Sequence, residues 1–313
     1  MALTQADSTS TVLSAVREKQ RLLRRDGLSA LILLAPALLF LTLFVYLPAV
    51  LSLGLAFFHY HLFGVASTFA GVSNFVSALT YPVFWIALRN TLVYACLMVP
   101  LTLAGSLAIA SLIHEQSRLY AAIRTVVLLP YITPVIATSI GWLWMFNPQY
   151  GLMNMFLGLF HLPASQWLLS PTWALPSVVL YSLWHGLGFD VIVMMGALAS
   201  VPQSVVEAAR VDGANRWHAF WRLTVPLVSP SLFFLAIVTT IGSLQVFSQI
   251  YALSAGQGGP EYATTTTMLL VYQTAFQYFH LSYGAAMAFF LVLLILALTA
   301  VQGIAARKWV FYQ

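Results

Sequence analysis

Pro202-Gln203-Ser204-Val205-Val206-Glu207-Ala208-Ala209-Arg210-Val211-Asp212-Gly213, continued by Ala214-Asn215-Arg216-Trp217-His218-Ala219-Phe220-Trp221-Arg222-Leu223-Thr224-Val225-Pro226, is a polar stretch caught between two long apolar runs. Ser204 followed three residues later by Glu207 has the form of a capping box, which predicts a short helix starting there. Gly213 tolerates positive φ and is suited to end that helix. A second helix is expected to begin near Asn215, and its spacing puts Trp217, Phe220 and Trp221 on one face. Two short helices at an angle result, too polar to enter a bilayer and too ordered for a slack connector.

Outward from this elbow the chain turns apolar. Hydrophobic residues make up 61% and charged residues 7%, against about 25% charged in soluble domains. Apolar runs long enough to cross a hydrocarbon layer, about 20 residues each, are expected near Leu28–Leu55, Ala87–Ile113, Ile123–Phe146, Ala174–Ser200, Ser231–Leu253 and Tyr283–Ala305. The fold class is therefore all-α integral membrane with six transmembrane helices. Pro36, Pro48, Pro100, Pro130 and Pro134 interrupt these runs, which favours a packed bundle whose neighbours re-satisfy the freed backbone groups. Segment Thr264–Phe279 is moderately apolar and reads as a surface helix or part of a longer sixth span.

Lys and Arg collect in cytoplasmic loops. Arg17, Lys19, Arg21, Arg24 and Arg25 precede the first span; Arg118 and Arg124 lie at the junction of the second and third; Arg210, Arg216 and Arg222 sit in the elbow; Arg307 and Lys308 follow the sixth. The alternate loops, Ala56–Ile86, Asn147–Trp173 and Ser254–Ser282, carry neither residue, and only Arg89 breaks the pattern. Both termini are expected in the cytoplasm of a multi-pass protein of the cell (plasma or inner) membrane. The net charge of +5 is thus explained by sidedness, and no nucleic acid is implied. Cys96 stands alone, so a disulfide framework within this chain is excluded.

Nucleotide hydrolysis is not expected here. A phosphate-binding loop places a lysine just after a glycine, and neither Lys19 nor Lys308 follows one closely. His114-Glu115 lacks the second histidine of a zinc-protease helix, since position 118 is Arg. His59, His61, His161 and His280 are too scattered for a metal site. No catalytic residue, metal or resident cofactor is assigned.

Candidate solute contacts lie in the fourth and fifth spans. An ionisable group at the bilayer centre costs about 2.5–3.5 kcal/mol on insertion scales, which marks it as functional by default. Asp190 is that group, with His185 before it in Trp184-His185-Gly186-Leu187-Gly188-Phe189-Asp190. The two glycines allow close helix contact or a kink; the alternative is that Asp190 only fixes packing. In span five, Gln245, Phe247, Ser248, Gln249 and Tyr251 combine amides and a hydroxyl with aromatic rings, a set suited to a polyhydroxylated solute. In a continuous helix Gln245 and Gln249 share a face, though glutamines also bond across helices without touching ligand. Met194 and Met195 read as packing. No span centre holds an Arg, which tilts the solute toward a neutral sugar.

The elbow also carries a resemblance. Glu207-Ala208-Ala209, then Gly213, then Leu223-Thr224-Val225-Pro226 resembles the EAA motif of ABC importer permeases, with Leu223 and Val225 in place of the usual Ile and Leu. Phe84-Trp85, Ala87-Leu88 and Asn90-Thr91, then Leu129-Pro130-Tyr131-Ile132-Thr133-Pro134 with Trp144, Phe146, Gly151 and Asn154, resemble the carbohydrate and glycerol 3-phosphate branch. Gly258-Gly259-Pro260 with Thr264–Thr267, Tyr272 and Ala275-Phe276 does so too, Gln257 standing where a third Gly is common. The resemblance implies a type-I permease fold divided into a tail (1–27), a first helix with its outer loop (28–83), a core (84–306) holding the coupling loop 201–226, and a second tail (307–313). It further implies that Glu207, Ala208, Ala209, Asp212, Gly213 and Pro226 couple the chain to an ATPase, Glu207 facing a basic partner residue and the alanines permitting close approach. The implied partners are a second homologous permease, a cytoplasmic ATPase dimer holding ATP and Mg, and an extracytoplasmic solute-binding protein. The implied cargo is a sugar-like solute, with glycerol 3-phosphate or a glycerophosphodiester as further candidates. A stand-alone proton-coupled secondary transporter using Asp190 is the rival reading; it leaves the ordered elbow without a purpose.

Overall fold

The computed structural model describes residues 32–60, 67–113 and 118–310. The N-terminal tail, the first four residues expected in span one (28–31), His61, the His114-Glu115 pair and the last residues of the chain lie outside this range. Two compact units divide at Leu55. The first contains α1, Ile32–Leu55, an uncharged helix with a π-helical turn at Thr42–Tyr46. The second holds everything from Ala56 onward. The described residues 56–60 and 67–83 fall within this second unit. A short hairpin of β1 (Phe58–His59) and β2 (Thr68–Phe69) leads into α2, Ser73–Thr80. Asn74 on α2 ties the hairpin down, its Nδ2 donating to the carbonyls of Ala56 at 2.8 Å and Phe58 at 3.0 Å.

The helices that follow are α3 (Pro82–Leu112), α4 (Arg118–Ile132), α5 (Val135–Met145), α6 (Leu152–Leu159), α7 (Ala174–Ala199), α8 (Gln203–Val211), α9 (Arg216–Leu227), α10 (Ser229–Leu244), α11 (Ser248–Leu253), α12 (Thr267–Tyr272) and α13 (Leu281–Trp309). Helices α1, α3, α7 and α13 are each long and apolar enough to cross a membrane. Counting each of two bent pairs as one span brings the number to six: α4 with α5 at 100°, and α9 with α10 at 64°. Span three, expected over Ile123–Phe146 with interruptions at Pro130 and Pro134, is broken at the second of these. Pro134 lacks an amide hydrogen and pushes Thr133 out of the helical region, and the chain turns there. By contrast α3 runs through Pro100 unbroken, and α7 matches its expected limits to within a residue.

Span five also departs from expectation. Its helix stops at Leu244 and restarts at Ser248, with Phe247 at φ −139° and ψ −61° between them. Gln245 and Gln249 consequently do not share a helical face. The segment from Thr264 corrects a further expectation, because it is neither a surface helix nor part of span six. Thr264, Thr265, Thr266 and Thr267 are all buried, as are Leu269, Leu270 and Val271 of α12, and Phe279 at φ 58° separates this buried piece from α13. Its polar groups are met from α3: Asn90 Nδ2 donates to the carbonyls of Tyr262 (2.8 Å) and Thr265 (3.0 Å), and the Thr267 amide donates to Thr91 Oγ1 (2.9 Å). The Thr265 and Thr266 hydroxyls donate to the carbonyls of Gly258 (3.3 Å) and Val246 (3.2 Å), so most of the polar groups this run buries are bonded.

Two clusters fill the core around α7. One gathers Tyr94, Trp142, Phe146, Tyr181, Val246, Ile250 and Leu253. The other gathers Leu107, Ala110, Val191, Met194, Val228 and Leu235, toward the α8–α9 end. Met194 is fully buried, as its reading as a packing residue expects.

Candidate docking and translocation sites

The elbow is the first site. Helix α8 starts two residues earlier than the capping box requires: Pro202, extended at ψ 126°, is the N-cap, and no side chain caps the helix. Ser204 therefore lies inside the first turn, and the capping box does not form. The far end follows expectation. Gly213 adopts φ +82°, its amide bonds the Arg210 carbonyl at 3.1 Å, and the Ala214 amide reaches back to Ala209 at 2.9 Å. This 6→1 and 5→2 pair is a Schellman motif, which closes a helix on its own backbone. Asn215 then caps α9, its Oδ1 accepting from the His218 amide at 2.8 Å. An Asn three residues before that amide was the available signal for the cap. The rings of Trp217 and Trp221 meet at 5.6 Å, and those of Phe220 and Trp221 at 5.4 Å. The face expected from their spacing is present.

Of the residues singled out in this elbow, Glu207, Ala208, Asp212 and Gly213 are exposed. Ala209 is buried within the chain, and half-buried Pro226 lines an apolar cavity of about 500 Å³ with Trp221 and Val225. The exposed face is apolar as well as charged: Val211 is 88% exposed and Trp217 69%. Glu207 and Arg210 edge a cleft of about 630 Å³ running between α8, α9 and the end of α7.

The second site is the group of polar residues within the spans, and the structure divides them. Around the break in span five, Val246 O accepts from Thr266 Oγ1 at 3.2 Å, which satisfies part of the unwound backbone. Gln245 and Ser248 are exposed there, while Gln249 is half-buried. Tyr94, 2% exposed, faces Ser182 and Gln249 with its hydroxyl. Phe247 and Tyr251 contact each other at 5.4 Å and both contact Tyr272, at 4.9 and 5.5 Å. Tyr94, Ser182 and Tyr272 belong beside the residues chosen by sequence. They were missed as site residues because nothing local in the sequence brings α3, α7 and α12 to one place.

Asp190 is buried, 8% exposed, but its neighbours Phe189 and Val191 belong to the other core cluster. No contact described joins it to Gln245–Tyr251. His185 is engaged elsewhere: its Nε2 lies 3.1 Å from the Thr133 carbonyl. A carbonyl can only accept, so Nε2 carries the hydrogen. Of the two glycines, Gly188 makes the close approach, since a Cβ there would run into the Val127 backbone, whereas Gly186 faces open space.

Comparison with known proteins gives this arrangement a family. Residues 101–310 match the binding-protein-dependent transport system inner membrane component. The chain is 31% identical over 299 residues to the lactose transport system permease protein LacF of Rhizobium radiobacter, covering 94% of this chain and 99% of that one. It is 32% identical over 291 residues to the sn-glycerol-3-phosphate transport system permease protein UgpA of Pectobacterium atrosepticum, covering 90% and 95%. Among solved structures, a chain of the bacterial alginate ABC transporter in complex with an alginate pentasaccharide-bound periplasmic protein superposes with TM-score 0.77 at 25% identity, covering 91% of this chain and 96% of that chain. The protein belongs to the inner-membrane permease family of binding-protein-dependent transport systems and has its type-I permease fold.

Proposed function

We propose that this chain is one of two permease subunits of an ATP-driven importer, and that it moves a sugar or sugar-like solute by alternating access. The observation that carries this reading is the elbow: two short helices, closed by a Schellman motif and an Asn cap, that expose Glu207, Ala208, Val211 and Trp217. An ordered, exposed, partly apolar surface of this kind suits docking to another protein. The partner is a cytoplasmic ATPase that holds ATP and Mg, Glu207 meeting a basic residue on it. Closure of the ATPase pair pulls the elbows together and opens the cavity toward an extracytoplasmic solute-binding protein. ATP drives this only because it binds one of the two conformations better.

The solute class is supported by the relatives' names, by the oligosaccharide carried in the alginate system, and by the amides, hydroxyls and rings around Gln245–Tyr251 and Tyr272. Glycerol 3-phosphate remains an alternative cargo, since helix N-termini or the second permease can supply anion contacts. The buried Asp190 supports a second reading, proton-coupled transport by the chain alone. Uptake into proteoliposomes separates the two. Inhibition by vanadate with indifference to a protonophore, and loss of both ATPase co-purification and uptake in Glu207→Lys, are expected. Uphill uptake by this polypeptide alone, driven by a proton gradient and abolished in Asp190→Asn, would overturn the proposal.

A further inference from the structure

A bend of 100° inside a membrane-crossing span needs something to hold it. Hydrocarbon cannot bond the carbonyls that a helix break leaves open, so neighbouring protein groups must. At the break between α4 and α5, the Thr133 carbonyl has no backbone donor among the described residues. Two side chains of α7 reach across to this point. His185 Nε2 donates to Thr133 O at 3.1 Å. The Tyr181 hydroxyl donates to Val135 O at 2.8 Å and lies 2.8 Å from Thr138 Oγ1. The bonds therefore fall on either side of Pro134, one on the residue before it and two on the first turn of α5.

The placement on α7 is regular. Tyr181, His185 and Gly188 follow at i, i+4 and i+7, one face of the helix. Gly188, having no side chain, lets the backbone of α4 at Val127 and Leu128 come against α7. Tyr131 of α4 stacks on Phe189 at 5.3 Å. On the α5 side, Trp142 meets Tyr181 at 5.8 Å and Trp184 at 5.3 Å. Each arm of the bent span is thus packed on α7 by its own contacts, and Tyr181 and His185 occupy the junction.

The geometry points to Tyr181 and His185 as positioning residues, a two-point clasp by which α7 sets the angle of span three at Thr133-Pro134 and which opens when that span changes shape in the transport cycle. This removes His185 from the solute contacts and gives it a partner inside the protein. The cycle in this statement rests on the importer reading above; the clasp itself does not.

The test uses the whole transporter in lipid nanodiscs, with Cys96→Ser and spin labels on cysteines placed at the exposed positions Val126 of α4 and Ile140 of α5. With the clasp intact, the resting distance distribution is narrow and shifts on trapping with ATP and vanadate. In the Tyr181→Phe, His185→Leu double variant, which removes the bonds of both residues, the resting distribution broadens, and solute imported per ATP hydrolysed falls at least about tenfold, since each lost hydrogen bond shifts a two-state equilibrium by up to about that factor. The solute KM is expected to hold. His185→Gln alone, which retains an N–H at nearly the same place, is expected to leave both readings as in the unsubstituted protein. Tyr181→Phe alone keeps the ring packing, so it serves if the double variant does not insert. An unchanged distance distribution overturns the clasp, and if uptake is lost with the distances unchanged and KM raised, the two residues are solute contacts instead. If the unsubstituted transporter imports nothing while the double variant still shows the broadening, the importer reading falls and the clasp stands.

Discussion

Two of the bends in this molecule are held in opposite ways. The bend of span three depends on another helix: its open carbonyl and its first turn on the α5 side are bonded by Tyr181 and His185 of α7, and α4 rests on α7 at Gly188. The elbow of α8 and α9 depends on itself, through the Ala214–Ala209 and Gly213–Arg210 backbone bonds and the Asn215 cap. The first lies within a span, where water cannot substitute for a lost partner; the second is exposed, where it can. A bend held from outside can be altered by moving its neighbour, whereas a self-closed elbow travels as a rigid piece. That distinction fits a proposed hinge in one case and a proposed handle in the other.

The largest effect that would break the comparison is expected at Gly188. Gly188→Val inserts side-chain atoms where the Val127 carbonyl and Leu128 Cα already lie, and the clash is with backbone, which cannot rotate away. Overpacking of this kind costs about 1–3 kcal/mol, and the upper end is expected. A lowered melting temperature and loss of monodisperse protein in size-exclusion chromatography would register it. Retention of wild-type stability would mean that α4 is not held against α7 as described.

Next comes the elbow's own hinge. Gly213 sits at φ +82°, a conformation that costs an ordinary L-residue roughly 1–2 kcal/mol. Gly213→Val is expected to unmake the Schellman closure while leaving the spans inserted, because its surroundings are open. Weakened ATPase co-purification with an unchanged membrane-inserted fraction is the expected result. Asn215→Ala ranks below it, at about 1 kcal/mol for a lost N-cap, read as faster proteolysis within α9 and a smaller loss of ATPase association.

The ease with which each bend could be read from sequence follows the same division. The elbow was legible because its determinants are local: Gly213 and the Trp217–Phe220–Trp221 spacing act over a few residues. The long helices α3, α7 and α13 were legible from unbroken apolar length. Pro134 marked an interruption, but neither its angle nor its partners could be read, since Tyr181 and His185 lie more than forty positions away along the chain (|i−j| of 46 and 52). The break at Val246-Phe247 had no proline to announce it. It is stabilised by Thr266 donating to Val246 O, a tertiary bond that overrides the helical pattern around Gln245 and Gln249. The buried Thr264–Thr267 run looked suited to a surface for the same reason, since the partners of Thr265 and Thr267, Asn90 and Thr91, lie on a distant helix.

The smallest effect tests the one local signal that misled. A capping box at Ser204 and Glu207 would make Ser204→Ala cost about 1 kcal/mol, as other N-cap losses do. In the structure Pro202 holds the N-cap position, its fixed φ of −63° setting the entry to α8, and no side chain accepts from the first-turn amides. Ser204 is exposed within that turn, so its removal takes away no bond that the helix uses. Ser204→Ala is therefore expected to change stability by no more than about 0.5 kcal/mol, the range of ordinary surface substitutions, and to leave ATPase association intact. A loss comparable to that of Asn215→Ala would show that the hydroxyl does cap α8. The start of the elbow would then depend on a side chain, while its end closes through backbone alone.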